Sequence, residues 1–258
     1  KKSAENIIED QEKAKLITST NVFAHMSTLG DVMEGIVKLL DDDGYYCFEN
    51  HYIMEILKKV QYDTFYHEHL RTYSLISLIK LFEMYNLNLF HAQIVTRYGG
   101  SIRCIVSRKK IEKTENLKKL LEVEKNFLVE NVESTYKDFV DKVNLSKKNL
   151  IEELKKIKSK DLKIVAKSCP ARAVVLLNFC ELNSSLIDYV AEQPTSLKLD
   201  YFIPGTKLKI VNDDQLLDYN PDYILLLAWH LSQPIIDKWK KRGLKSKFII
   251  PLPEVKIV

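Results

Sequence analysis

Leu16-Ile17-Thr18-Ser19-Thr20-Asn21, and the residues that follow it as far as Glu49, decide the fold. Leu16–Thr20 reads as a short strand that stops at Asn21. From Val22 to Leu40 apolar residues recur at helical intervals through Met33, Ile36, Val37 and Leu40, and Asp31 is placed to cap that run. Asp41-Asp42-Asp43-Gly44 reads as a turn, and Tyr45-Tyr46-Cys47-Phe48-Glu49 as a second strand. Strand, helix, turn and strand in this order are the rhythm of an open α/β sheet.

Working outward, Lys1 to about Lys15 is polar, with Ala4, Ile7 and Ile8 at helical spacing. A helix is predicted over Tyr52–Val60, and another over Leu75–Tyr85 with Ser74 as its N-cap. Strands over Asn88–Val95 and Ile102–Ser107 are joined by Arg97-Tyr98-Gly99-Gly100, a hairpin-type connection. Residues 110–160 are rich in Lys, Glu, Leu, Val and Ile at helical periods, which predicts two long helices broken near Asn144–Ser146. A charge run of this kind is ordinarily a solvated helix face. A second α/β unit begins at Leu162, with strands at Leu162–Ala166, Lys209–Val211, Tyr223–Ala228 and Phe248–Pro251. Its helices are expected at Ala171–Cys180 and Leu231–Arg242. The predicted organisation is therefore α/β, with a partial Rossmann-like domain over residues 1–110, a helical connector over 111–160 and a second, C-terminal α/β domain over 161–258.

The chain has 258 residues, 46% hydrophobic and 29% charged, which suits a globular protein whose core needs no metal or disulfide staple. Its net charge of +4 is spread among alternating acidic and basic residues, so composition gives no reason to expect a nucleic-acid partner. Cys47, Cys104, Cys169 and Cys180 show no metal-ligand spacing and read as free thiols of a reducing compartment. No apolar run approaches the ~20 residues of a membrane span, and a cytoplasmic protein is expected.

The chemistry concentrates in Tyr66-His67-Glu68-His69. A neutral imidazole accepts a proton near physiological pH, and a neighbouring carboxylate fixes its tautomer or raises its basicity. Taken alone, such a tetrad is more often a surface loop or a set of structural histidines. His25 adds an imidazole just beyond the strand ending at Asn21, where open sheets bind ligands.

Four blocks recur in order: Asn21-Val22-Phe23-Ala24-His25, Asp43-Gly44, Tyr62-Asp63-Thr64-Phe65-Tyr66-His67-Glu68-His69, and Gly99-Gly100-Ser101-Ile102-Arg103. Together they resemble the SAM-dependent sugar C-methyltransferase family, whose pattern reads N-V-[LF]-x-H, D-G, [FY]-D-x-[IF]-Y-H-E-H and G-G-S-[LI]-R. Pro170-Ala171-Arg172, Leu177-Asn178-Phe179-Cys180, Pro204-Gly205-Thr206, Ala228-Trp229-His230 and Ile250-Pro251-Leu252-Pro253-Glu254 are similar to its C-terminal part.

The resemblance implies S-adenosylmethionine as cofactor and, as substrate, a nucleotide-linked deoxysugar with a carbon next to a ketone. It implies His69 as general base, Glu68 orienting it or holding a sugar hydroxyl, Tyr66 donating to the developing oxyanion, and His25 supporting or replacing the base. Asn21 is the nearest candidate contact to the cofactor, and Arg172 a candidate for the substrate's distal part; no metal is expected on these residues. Zinc is expected only in a cysteine-rich N-terminal segment that family members carry. The Gly-rich turn that holds the cofactor is not found among the 7 glycines here, so a fragment is expected, or a separate N-terminal polypeptide supplying the remainder. A non-catalytic sugar-nucleotide-binding or assembly protein, and an O- or N-methyltransferase, stand as alternatives.

Overall fold

The computed structural model of the chain describes residues 4–10 and 12–258; residues 1–3 and 11 of the opening polar stretch lie outside the described residues. The chain packs as two units, residues 1–58 with 67–136 and residues 59–66 with 137–258.

In the first unit, α1 (Ala4–Asp10) precedes β1 (Ala14–Thr20), α2 (Leu29–Leu39) and β2 (Leu40–His51). β1 and β2 pair in parallel, as a helical crossover allows. The N-cap of α2 is Thr28, and Asp31 lies in the first turn rather than at the cap. There its carboxylate still favours the positive end of the helix dipole. The expected Asp-Asp-Gly turn does not end a strand. Ala14 pairs with Leu40 and Leu16 with Tyr45, so residues 41–44 bulge out within β2. Gly44 is required there, because a Cβ would stand 2.8 Å from the Ala14 carbonyl oxygen.

After α3 (Ile53–Lys58) and α4 (Leu75–Glu83) come β3 (Asn88–Val95) and β4 (Ser101–Ser107), giving the sheet order β1-β2-β4-β3 with both later pairings antiparallel. Ser74 caps α4 in a reciprocal box with Ser77. Phe23, Tyr46, Phe48 and Phe82 form the aromatic centre of this core, with Phe23 stacked on Phe48 at 5.3 Å.

The helical stretch is divided between the two units. α5 (Glu115–Lys125) packs on β3 in the first unit, while α6 (Val132–Lys158) turns Val143, Ser146, Leu150, Leu154 and Ile157 inward. The break falls at Asn131, after a π turn over Asn126–Glu130, and not at Asn144–Ser146. Ser146 is buried at core spacing, so the helix runs through it. Glu124 departs from the solvated-face reading too. Fully buried, it accepts the N–H groups of Leu75 (2.8 Å) and Ile76 (2.7 Å) and the Tyr52 hydroxyl (2.8 Å). It thereby satisfies the first turn of α4.

The second unit contains β5 (Ile164–Lys167), α7 (Ala173–Phe179), β6 (Val190–Glu192), β7 (Ile210–Asn212), α8 (Gln215–Tyr219), β8 (Tyr223–Leu226), α9 (Ser232–Lys241), β9 (Lys247–Ile250) and β10 (Lys256–Ile257). Their order is β10-β9-β8-β5-β6-β7, parallel except for β10. Both faces are covered. Ile164, Ala166 and Leu225 pack with α6 and α7, and Val165, Ile224 and Leu226 pack with Trp239 and Phe248. The chain builds outward from β5 to β7 and then returns to β8, so the topology reverses between β5 and β8.

Candidate active site

In the first unit, β1 ends in a left-handed turn at Asn21 (φ 53°), whose N–H donates to the Glu49 carbonyl at 2.9 Å. A single 3-10 turn over Phe23–His25 follows, with Phe23 and Ala24 buried and His25 exposed. Phe23 is thus the anchor that places His25 at the carboxyl end of the sheet. The loop carrying His69 is tied to that turn: the Leu70 N–H donates to the Ala24 carbonyl at 2.8 Å, and the Arg71 guanidinium to the Met26 and Ser27 carbonyls. The His25 and His69 ring centroids stand 4.9 Å apart at 68°.

A residue that sequence reasoning missed completes the group. His51, the last residue of β2, has its ring 4.7 Å from that of His69 and 6.3 Å from that of Tyr98. The turn carrying Tyr98 is held by Gly100 (φ +130°), where a Cβ would meet Glu55 Oε2 at 2.6 Å. The alternation Cys47, Glu49, His51 was the signal, masked because the strand was ended at Glu49. Among the described residues, no group of three His, Cys, Asp or Glu side chains is arranged to hold a metal ion.

Glu49 is 6% exposed, and its Oε1 accepts from Arg103 Nε (2.8 Å) and Nη2. That pair gives the Arg103 of the Gly-Gly-Ser-Ile-Arg block a defined place. Buried polar atoms at these strand ends without a hydrogen-bond partner among the described residues include Asn21 Oδ1, Glu49 Oε2 and both polar atoms of the Asn50 amide. Buried groups of this kind mark places where water, ion or ligand completes the bonding.

The remaining residues of the tetrad sit differently. Glu68 is exposed and approaches His67 Nε2 at 4.0 Å. Tyr66 is half-buried and belongs with residues 59–66 to the second unit.

In that unit the segments that follow β5 and β8 carry a buried polar cluster. Asp63, 0% exposed, accepts from Arg172 Nε (2.7 Å), Arg172 Nη2 (2.5 Å) and Trp229 Nε1 (2.8 Å), and the guanidinium lies 5.0 Å from the Trp229 ring centroid. Arg172, the candidate substrate contact, is a buried residue engaged by Asp63 through two nitrogens. Burial, with the Arg172 cation beside it, lowers the His230 pKa to about 4. Lys167 and Asp213 form a second buried pair at 2.9 Å.

The first unit is thus a parallel β-α-β pair extended by an antiparallel hairpin, an α/β arrangement with imidazoles gathered at its strand ends. Residues 96–253, more than half of the chain, match the family described as "C-methyltransferase C-terminal domain". The chain is also 30% identical, over 249 residues, to C-methyltransferase NovU of Streptomyces niveus, a match covering 95% of this chain and 59% of NovU. The chain belongs to this C-methyltransferase family, and it spans about three-fifths of the length of that curated relative. Among the described residues, no helix is long and apolar enough to cross a membrane.

Proposed function

We propose that the full-length protein transfers a methyl group from S-adenosylmethionine to a carbon next to a ketone in a nucleotide-linked deoxysugar. The observation that supports this most is the pair of imidazoles, His25 and His69, 4.9 Å apart at the strand ends of a chain of this family. The cofactor fits the donor set. Asn21 offers a buried side-chain oxygen, without a partner among the described residues, at the carboxyl end of β1, where open sheets bind ligands. That oxygen suits a ligand rich in N–H and O–H groups. When bound, S-adenosylmethionine supplies an electrophilic methyl group.

The chain's own residues supply the proton chemistry. His69 takes the proton from the substrate carbon, a task for a base that is neutral near physiological pH. Glu68 orients that base or holds a sugar hydroxyl. Tyr66 donates its O–H to the oxygen on which negative charge develops. His25 supports His69 or stands in for it. Arg172, held on Asp63 through Nε and Nη2, is the candidate contact for the distal part of the substrate.

The test is to incubate the full-length protein with 13C-methyl-labelled cofactor and a nucleotide-linked deoxyketohexose. A new carbon-bound methyl signal is expected in the 13C NMR spectrum. An oxygen- or nitrogen-bound methyl would establish a different methyltransferase, and no transfer would favour a binding or assembly protein.

A further inference from the structure

His51 has no role in the chemistry so far, yet its ring is as close to His69 as that of His25, at 4.7 Å and 52°. It is half-buried, and its strand alternation puts it on the same face of β2 as Glu49. Glu49 is held by Arg103 through one oxygen only, and its other oxygen is buried without a hydrogen-bond partner among the described residues. An imidazole in ring contact with the base therefore shares a strand face with a buried carboxylate. Its ring neighbours are His69 on the loop and Tyr98 in the hairpin turn, with His25 in ring contact with His69 and Arg103 on β4 paired to Glu49.

Base catalysis at carbon leaves a problem that this arrangement answers. A histidine that has taken a carbon proton is an imidazolium and must lose that proton before it can act again. The ring contact at 4.7 Å sets His51, whose neutral imidazole is a proton acceptor, beside the group that must shed that proton.

We propose that His51 is a positioning and proton-relay residue for His69, an inference that rests on the methyl-transfer reading above. The C–H bond next to the ketone breaks, its electron pair passes into the enolate, and its proton goes to one nitrogen of His69. His69 then turns that N–H to His51, whose imidazole accepts the proton and releases it to solvent, leaving the base nitrogen bare again. The net change is one proton delivered to water and a neutral His69 restored. The buried Glu49 carboxylate stabilises the positive charge as it passes His51.

Deuterium wash-in tests this without the methyl donor. The full-length protein is incubated in D2O with a nucleotide-linked deoxyketohexose, and exchange at the carbon next to the ketone is followed by NMR. His51→Ala is expected to slow wash-in by about 10- to 100-fold, and added imidazole to restore most of it. His51→Gln, which keeps a hydrogen-bonding side chain but cannot take up and release a proton near neutral pH, is expected to be as slow as His51→Ala. His51→Phe, which fills the space, is expected to be slow and not to respond to imidazole. Wild-type exchange in His51→Ala or His51→Gln, or a loss in His51→Ala that imidazole does not restore, overturns the relay. A wild-type protein showing neither exchange nor methyl transfer overturns the methyl-transfer reading and the relay with it; normal wild-type exchange with an unaffected His51→Ala overturns the relay alone.

Discussion

Replacing Arg172 by alanine separates two roles for this residue, a surface contact waiting for substrate and a member of a buried ion pair. Asp63 has no exposed surface and three donors, two of them on Arg172. The substitution leaves a buried carboxylate with the Trp229 indole N–H alone. Removing one partner of a buried pair costs about 3–5 kcal/mol, which raises the unfolded fraction by roughly a hundred- to several-thousand-fold. Both tryptophans, Trp229 and Trp239, lie in the second unit, so urea unfolding followed by tryptophan fluorescence reads that unit's own transition. Arg172→Met with Asp63→Leu removes both charges and is expected to recover most of the loss, because apolar replacements of a buried pair are often near neutral. Such recovery identifies coupling between the two side chains rather than two independent defects. A shift under about 0.5 kcal/mol for Arg172→Ala, the range of ordinary surface changes, would refute the buried-pair account and return Arg172 to the surface.

His230 gives the same unit a dependence on acid. Burial, then Arg172, depress its folded pKa from the ordinary 6.5 to about 4, so the neutral form is the one the fold favours. Its contribution to stability is present above pH 6.5 and is lost as pH falls from there toward 4. In Arg172→Ala the His230 pKa, followed by NMR, should rise, since one cause of its depression is gone. Glu124→Gln in the first unit exchanges an acceptor for a donor opposite the α4 N–H groups; a loss of about 2 kcal/mol is expected in thermal unfolding, with faster amide exchange at Leu75 and Ile76. Gly100→Ala forces a Cβ against Glu55 at a φ of +130° and should lower the melting temperature, whereas an unchanged midpoint would mean that the turn is not constrained as described.

How far the sequence carried depended on how local each signal was. Ser74 and the helix it caps, and the strand Asn88–Val95, were legible because capping and alternation act within a few residues. The Asp-Asp-Gly turn misled because its chemistry is that of a chain reversal, while pairing with β1 absorbs residues 41–44 as a bulge. β6, α8 and β10, from two to five residues long, are too short to show a period and went unread. The helix break was placed at Asn144–Ser146 on composition, but the buried position of Ser146 is a tertiary fact. In the candidate site, His25 and His69 were found through their motif, whereas the Asp63–Arg172 pair joins residues 109 apart and leaves no local trace. His51 was within reach, since carrying the alternation of Cys47 and Glu49 one step further would have included it.

The measurement that bears most directly on the central claim compares wild-type and His69→Ala full-length protein for methyl transfer to a nucleotide-linked deoxyketohexose, with cofactor affinity determined alongside. If His69 is the base that removes the carbon proton, the rate falls by about 100- to 10,000-fold while cofactor affinity is nearly unchanged, because the base acts on the substrate. Near-normal turnover by His69→Ala would contradict the account and move the base to His25.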